Sequence, residues 1–241
     1  MVNWKAVDRG RFFAIGETAA LERRIFRRME DIALENNFKY VSVPSFVAEK
    51  TIALQDCVPV DGSFSVGNGM CLSGSAEQGI LEIFTGSIID ETCRVYAENQ
   101  CFRMEDKLVG AKTLNEFKKM ELFVFCKGSN WESEYSRVLF MAQVLLNELD
   151  IKWRTVDKTN DPGYHTKKTD IEVWTEQYGW METHSCTYFA DEQSRRFGIT
   201  GSNNHTISCT AVASPRILIP IIDSVNRPWT AIKIQNSHGK Q

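Results

Sequence analysis

The order of patterned segments predicts an α+β fold, an antiparallel sheet flanked by helices. Segments with the two-residue pattern of strands mostly follow one another, and segments of helical period gather near the start, middle and end of the chain. No internal repeat, low-complexity tract or long linker divides the 241 residues, so a single domain over 1–241 is expected.

The elements follow in order. In "ETAALERRIFRRMEDIALENN", Leu21, Ile25, Met29, Ile32 and Ala33 recur at intervals of three to four with charges between them, which predicts a helix over 18–35. "FKYVSVPSF" reads as a strand, and Pro44 marks its end or an edge position. A further strand is expected before "GSAEQGILEIFTGSII", whose small residues turn into a helix. "CFRMEDKLVGAKTLNEFKKMELFVFC", residues 101–126, reads as strand, loop and strand. From Ser133, "SEYSRVLFMAQVLLNELDI" is a second amphipathic helix. "TDIEVWTEQYGWMETHSC" supplies two strands around Tyr178-Gly179, and "SPRILIPIIDSV" a short apolar helix after Pro215.

Composition narrows the classes. Apolar residues make up 43% of the chain and charged residues 24%, which suits a folded globular protein and argues against disorder. No apolar run reaches the roughly 18 residues of a spanning helix, and "MVNWKAVDRGRFF" lacks the apolar core of a secretory signal. A cytoplasmic protein with no membrane partner is expected. The seven cysteines, at 57, 71, 93, 101, 126, 186 and 209, are odd in number, widely spaced and without a CxxC pair, as suits reduced thiols. A formal charge of −3 with no basic block argues against a large sequence-independent nucleic-acid footprint.

The segment 101–126 raises a chemical question. Side chains two apart on a strand share a face, so Arg103 and Glu105 point together, as do Phe117, Lys119 and Glu121 across the loop. If the strands pair, a cation, two carboxylates and a ring converge. A solvated face would explain that pattern from this segment alone; the remainder of the chain favours another account.

Five strings in one order, "GRFFAIGETAALERRIFRRMEDIALENNFKYVSVPSF", "GSAEQG", "CFRMED" with "NEFKKMELFVFC", "DIEVWTEQYGWMETHSCTYFADEQSRRFGI" and "HTISCTAVASPRIL", resemble the catalytic core of a class II aminoacyl-tRNA synthetase, closest to the seryl-tRNA synthetases. The resemblance runs from about Gly10 to Pro220. It implies a six- to seven-stranded antiparallel sheet, ATP and magnesium as cofactors, and activation of a small amino acid to an aminoacyl-adenylate. Arg103 matches the arginine that grips the α-phosphate and the substrate carboxylate, a task suited to a guanidinium fork. Glu105 matches the acid that accepts from the adenine amino group, Phe117 the ring on which adenine stacks, and Arg216 the arginine over the base that reaches the γ-phosphate. Glu182 and Ser185 match the oxygen ligands of magnesium. The charged hairpin is thereby expected to be the floor of an ATP site.

For the amino acid, Ser75-Ala76-Glu77 occupies the place of the family's Thr-x-Glu, Glu121 matches a second acid beside the substrate ammonium and hydroxyl, and Thr210 matches a hydroxylated residue of the side-chain pocket. Arg103 completes this set. Serine is favoured, with glycine, alanine and threonine as alternatives, because Ser208 stands where an Asn is expected. Zinc is a less favoured cofactor: Cys209 and Glu121 match two ligand places of zinc-dependent relatives, but the third aligns with Ser75, a poor zinc ligand. His184 and His205 read as structural, since adenylate formation takes no proton from an ionised carboxylate. Lys118 and Lys119 are expected beside the phosphates or in solvent, and Ser194-Arg195-Arg196 in a nucleic-acid contact or a solvated turn.

Departures from the resembled pattern shape the expected acceptor. No segment matches the long N-terminal helical arm that embraces tRNA, the loop 106–116 is short and lacks arginines, and "ASPR" replaces a Gly before Arg216. A stand-alone, truncated homologue is expected, passing the activated amino acid to a carrier protein or small molecule, with tRNA a weak partner. A minimal seryl-tRNA synthetase core and a non-catalytic regulatory homologue are the alternatives. The resemblance also implies a homodimer through the helix 18–35 and the strand ending at Pro44.

Overall fold

The computed structural model describes residues 3–7, 10–56 and 60–223. Cys57 and residues 224 and 225 of the last predicted helix lie outside them. A two-stranded ribbon, β1 (Asn3–Val7) and β2 (Arg11–Ile15), leads into α1 (Glu17–Glu35). Then come β3 (Lys39–Tyr40), β4 (Phe46–Ala48), α2 (Glu49–Gln55), β5 (Ser65–Gly67), β6 (Met70–Leu72) and α3 (Ala76–Phe84). The long pair β7 (Cys93–Phe102) and β8 (Glu116–Cys126) precedes α4 (Trp131–Glu148). β9 (Trp153–Asp157), β10 (Lys167–Thr175), β11 (Gly179–Tyr188), α5 (Glu192–Arg196) and β12 (His205–Ser214) follow, and a 3-10 turn at Arg216–Leu218 runs into α6 (Ile219–Asp223).

Seven strands form one sheet in the order β3-β7-β8-β12-β11-β10-β9. Every neighbouring pair is antiparallel except β3 and β7, which are parallel. The α+β sheet flanked by helices is therefore present.

Alternation along β8 shows how the sequence builds two different faces. Met120, Leu122, Val124 and Cys126 point to one side, where they join α1 residues Leu21, Ile25 and Met29 and α4 residues Val138, Met141 and Leu145 in the main core. Each such side chain stabilises the fold by about 1.5–3 kcal/mol when removed from water. The opposite face carries Phe123 and Phe125 under α3, with Ile80, Leu81, Val95 and Ala97. Nearer the start of β8 that face is polar and lines a cavity. One strand thus holds the core together and furnishes a site.

Three departures from the sequence reading have physical causes. The strand predicted in "FKYVSVPSF" is split: Lys39 and Tyr40 pair with β7, with the Val41 N–H donating to Tyr96 O at 2.9 Å, and Phe46 already belongs to β4, which pairs with β6. Between the two, Pro44 has no N–H to give a ladder, and the Asn99 side chain takes over, donating to Pro44 O at 3.1 Å and accepting from Ser45 Oγ at 2.9 Å. The first strand of the predicted hairpin begins at Cys93, well before residue 101, and ends at Phe102, so Arg103 and Glu105 leave the sheet in the loop and do not share a strand face. Finally, β12 sits between β8 and β11 with nearly all its residues buried, so it shows little alternation in sequence.

Candidate active site

The uncovered face of the sheet is the floor of a cavity of about 250 Å³. β8 contributes Phe117, Lys119 and Glu121, β11 contributes Glu182, Ser185 and Thr187, and β12 contributes Ser208 and Thr210. The N-terminus of α3 brings Ser75 and Glu77 to one wall; Arg103 and Glu105 from the loop after β7, and Arg216 from the 3-10 turn, close the others. The ten residues matched in the sequence to ATP, amino acid or magnesium all line this one cavity.

Its deep end is acidic. Ser75 caps α3, accepting from the Glu77 N–H at 3.3 Å, and donates its hydroxyl to Glu121 Oε1 at 3.0 Å. Lys119 pairs with the same oxygen, and Thr210 Oγ1 lies 3.5 Å from it. Glu121 is 1% exposed, yet its Oε2 has no protein partner. Leaving a buried acceptor unsatisfied costs about 1–3 kcal/mol, and more for a charged group, unless a donor enters the cavity. Glu77, also buried, accepts from Gln193 Nε2 at 2.6 Å and from Ser208 Oγ at 3.0 Å. Burial, followed by the neighbouring Glu121 carboxylate, pushes the Glu77 carboxyl above its ordinary range.

The other end is cationic and aromatic. Arg103 donates through Nε to Gly74 O at 3.1 Å, and its guanidinium lies 5.3 Å from the centre of the Phe117 ring. Arg216 donates through Nε to Lys112 O at 2.8 Å and through Nη1 to Glu182 O at 3.5 Å, tying the turn after β12 to the loop before β8. Asn115 Oδ1 accepts from the Glu105 N–H at 3.2 Å.

Oxygen donors of the kind a hard cation takes lie on β10 and β11. Exposed Glu182 and half-buried Ser185 line the cavity. Asp170 faces Ser185 across the strand pair, is 3% exposed and has Oδ1 unpartnered. This donor set fits magnesium. Asp170 was not singled out from the sequence, where "KKTDIEV" reads as an ordinary strand. Zinc does not fit in the same way: Cys209 points to the opposite face of β12, with Sγ 3.9 Å from Val138 O on α4, while Glu121 faces the cavity. Among the described residues no cluster of three or more His, Cys, Asp or Glu has metal-binding geometry.

The remaining residues take structural positions. His184 Nδ1 lies 2.8 Å from Thr183 Oγ1, and burial pulls its pKa down to about 4; His205 Nδ1 lies 2.6 Å from the Tyr188 hydroxyl. Lys119 faces the cavity, whereas Lys118 lies on the other face, paired with Glu98 and 4.6 Å from the Phe26 ring centre. Arg195 pairs with Asp191 and Glu192, and Arg196 with Glu192 and Asp56.

A family model described as "tRNA synthetase class II core domain (G, H, P, S and T)" matches residues 65–224. The chain belongs to the class II tRNA synthetase core family. Among curated relatives of this synthetase core, the serine–tRNA ligase of Deinococcus radiodurans is 29% identical over 232 residues, covering 87% of this chain and 55% of the relative. That of Rhodospirillum centenum is 31% identical over 241 residues, covering 91% and 57%. The chain spans about half the length of the curated relatives it matches. Solved structures share the synthetase fold: seryl-tRNA synthetase from Pyrococcus horikoshii, complexed with ATP, superposes with a TM-score of 0.80 at 23% identity over 88% of this chain and 52% of its own. Prolyl-tRNA synthetase from Giardia lamblia, in complex with prolyl-adenylate, gives 0.79 at 13% identity over 89% and 48%.

Proposed function

We propose that this synthetase core joins the carboxylate of a small amino acid, serine favoured, to the α-phosphate of ATP, releases pyrophosphate and forms an aminoacyl-adenylate. The observation that supports this most is the convergence, in one cavity, of an acidic end with an unsatisfied Glu121 oxygen and a cationic, aromatic end with Arg103, Phe117 and Arg216. Glu121 and Glu77, with Ser75 and Thr210, hold the ammonium and hydroxyl of the substrate. Arg103 grips its carboxylate and the α-phosphate, so the reacting oxygen and phosphorus meet at a fixed angle while charge on the phosphate is neutralised. Phe117 and Glu105 receive the adenine, and Arg216 the base and γ-phosphate. Glu182 and Ser185 would hold magnesium, which when bound offsets charge on the phosphates.

The acceptor in this reading is a carrier-protein thiol or a small molecule. Phosphate contacts supply much of nucleic-acid affinity, and the loop from Asp106 to Asn115 carries only Lys107 and Lys112 as cations, the latter 5.8 Å from the Tyr178 ring centre. Charging of tRNA is the second reading, favoured by the names of the curated relatives. Homodimerisation through the helix 18–35 and the strand ending at Pro44 fits the exposure of Leu34 and Tyr40 there and of Phe46 just beyond, each more than half open to solvent. The six described cysteines are unpaired, which supports the expected cytoplasmic location.

Amino-acid-dependent exchange of labelled pyrophosphate into ATP tests the reading. Serine should be the best or near-best substrate, and Arg103→Ala or Glu182→Ala should lower exchange by about two to three orders of magnitude. No exchange with any of the twenty amino acids, magnesium present, would favour the non-catalytic regulatory homologue.

A further inference from the structure

Gln193 opens no wall of the cavity, yet it is fully buried directly behind Glu77. Its amide is held at both ends. Thr206 Oγ1 donates to Gln193 Oε1 at 2.8 Å, which turns Nε2 the other way, toward Glu77 Oε1 at 2.6 Å and the Tyr164 hydroxyl at 3.3 Å. A flipped amide would set its oxygen against the Glu77 carboxylate, so the network selects one orientation. The frame around it is anchored as well: the Tyr164 hydroxyl donates to Gln55 O at 2.6 Å, and the Arg196 guanidinium lies 4.0 Å from the Tyr164 ring centre. Glu77 therefore receives one donor on each oxygen, Gln193 on Oε1 and Ser208 on Oε2.

We infer that Gln193 is a positioning residue for amino-acid recognition, holding the Glu77 carboxylate as an oriented acceptor for the substrate ammonium or hydroxyl. The inference rests on the activation reading and assigns amino-acid selection to α5 and β12 behind the cavity as well as to its lining. Burial and Glu121 both favour a protonated Glu77, and the Gln193 amide opposes them by hydrogen-bonding the ionised form. The groups facing Glu77 are Gln193 of α5, Ser208 of β12, Glu121 and Lys119 of β8, and Gln55 of α2.

Steady-state pyrophosphate exchange on the whole chain, with calorimetric serine binding beside an unreactive ATP analogue, tests it. Gln193→Met keeps the length and removes the donor; Thr206→Val removes the group that orients it. Gln193→Met should raise the KM for serine and its calorimetric Kd by roughly 10- to 100-fold, the range for loss of a hydrogen bond to a charged group. The KM for ATP should stay within about twofold, and Thr206→Val should move serine in the same direction by less. If Gln193→Met does not fold, Thr206→Val and Gln193→Glu carry the test, the latter expected to weaken serine by setting a second acid against Glu77. Equal rises in both KM values, or unchanged serine affinity in a folded variant, overturn the inference. Serine binding without exchange in the unsubstituted protein overturns activation but leaves the Gln193 comparison decisive through calorimetry. No serine binding to that protein overturns both.

Discussion

Glu121 illustrates what a single residue discloses. In sequence it is one more charge on a strand; in the fold it is a buried carboxylate with one crowded oxygen and one unsatisfied oxygen. Ser75, Glu77, Arg103 and Glu121 were legible because their residue types recur in a known order, and the fold brings them into one cavity. Gln193 and Asp170 were not. A buried polar partner makes no periodic mark, and its meaning comes from what faces it across the sheet. The cysteines give a prediction at this scale. Burial pushes the Cys101 and Cys126 thiols up to about 12 from an ordinary 9.0. They should remain protonated at pH 8 and resist an alkylating reagent while the chain is folded. Because the folded value lies above the unfolded one, their contribution to stability is intact below pH 9 and declines as pH rises from 9 toward 12. At pH 10 each thiol should lower stability by on the order of 1 kcal/mol. Urea midpoints at pH 8 and 10 measure this, and Cys101→Ala should reduce the difference.

Among the elements, α1, α4 and the β10–β11 hairpin were readable because each shows the period that matches its buried face, and α3 because small residues turn into it. β12 was quoted only as part of a family resemblance, since a strand buried on both faces has no such period. β7 mixes Arg94, Glu98 and Asn99 into its pattern, and all three have partners elsewhere: Arg94 with Glu134 of α4, Glu98 with Lys118 of β8, Asn99 with Pro44 and Ser45. The connection before β8 is pinned at Gly10, whose carbonyl accepts from the Asn115 and Glu116 N–H groups at 2.9 and 3.1 Å. Gly10 has φ +70, and a Cβ there would lie 2.5 Å from Asn115 N. Gly10→Ala should therefore destabilise the fold by about 1–3 kcal/mol, through a backbone that cannot yield. Chemical denaturation measures the loss, and faster amide exchange at Lys112 and Asn115 should accompany it.

At the scale of the molecule, the fold class was legible and the assembly and acceptor remain proposals with direct tests. Sedimentation at micromolar concentration should show a dimer, and Tyr40→Glu with Phe46→Glu should shift it toward monomer by placing charges on the proposed interface. With ATP and labelled serine, a phosphopantetheinylated carrier should be labelled rapidly and bulk tRNA poorly; rapid labelling of tRNA alone would reverse that order. The place of β12 carries one more consequence, for synthesis. This strand occupies the centre of the seven-stranded sheet but is made after both of its neighbours, β8 and β11. Until residues 205–214 emerge, β8 and β11 each present an unpaired edge, and Glu121 lacks the strand that brings Thr210 beside it. A nascent chain ending before residue 205 should thus expose two templates for strand addition by other chains and engage chaperones, and the cavity should be complete only after residues 205–214 have been made.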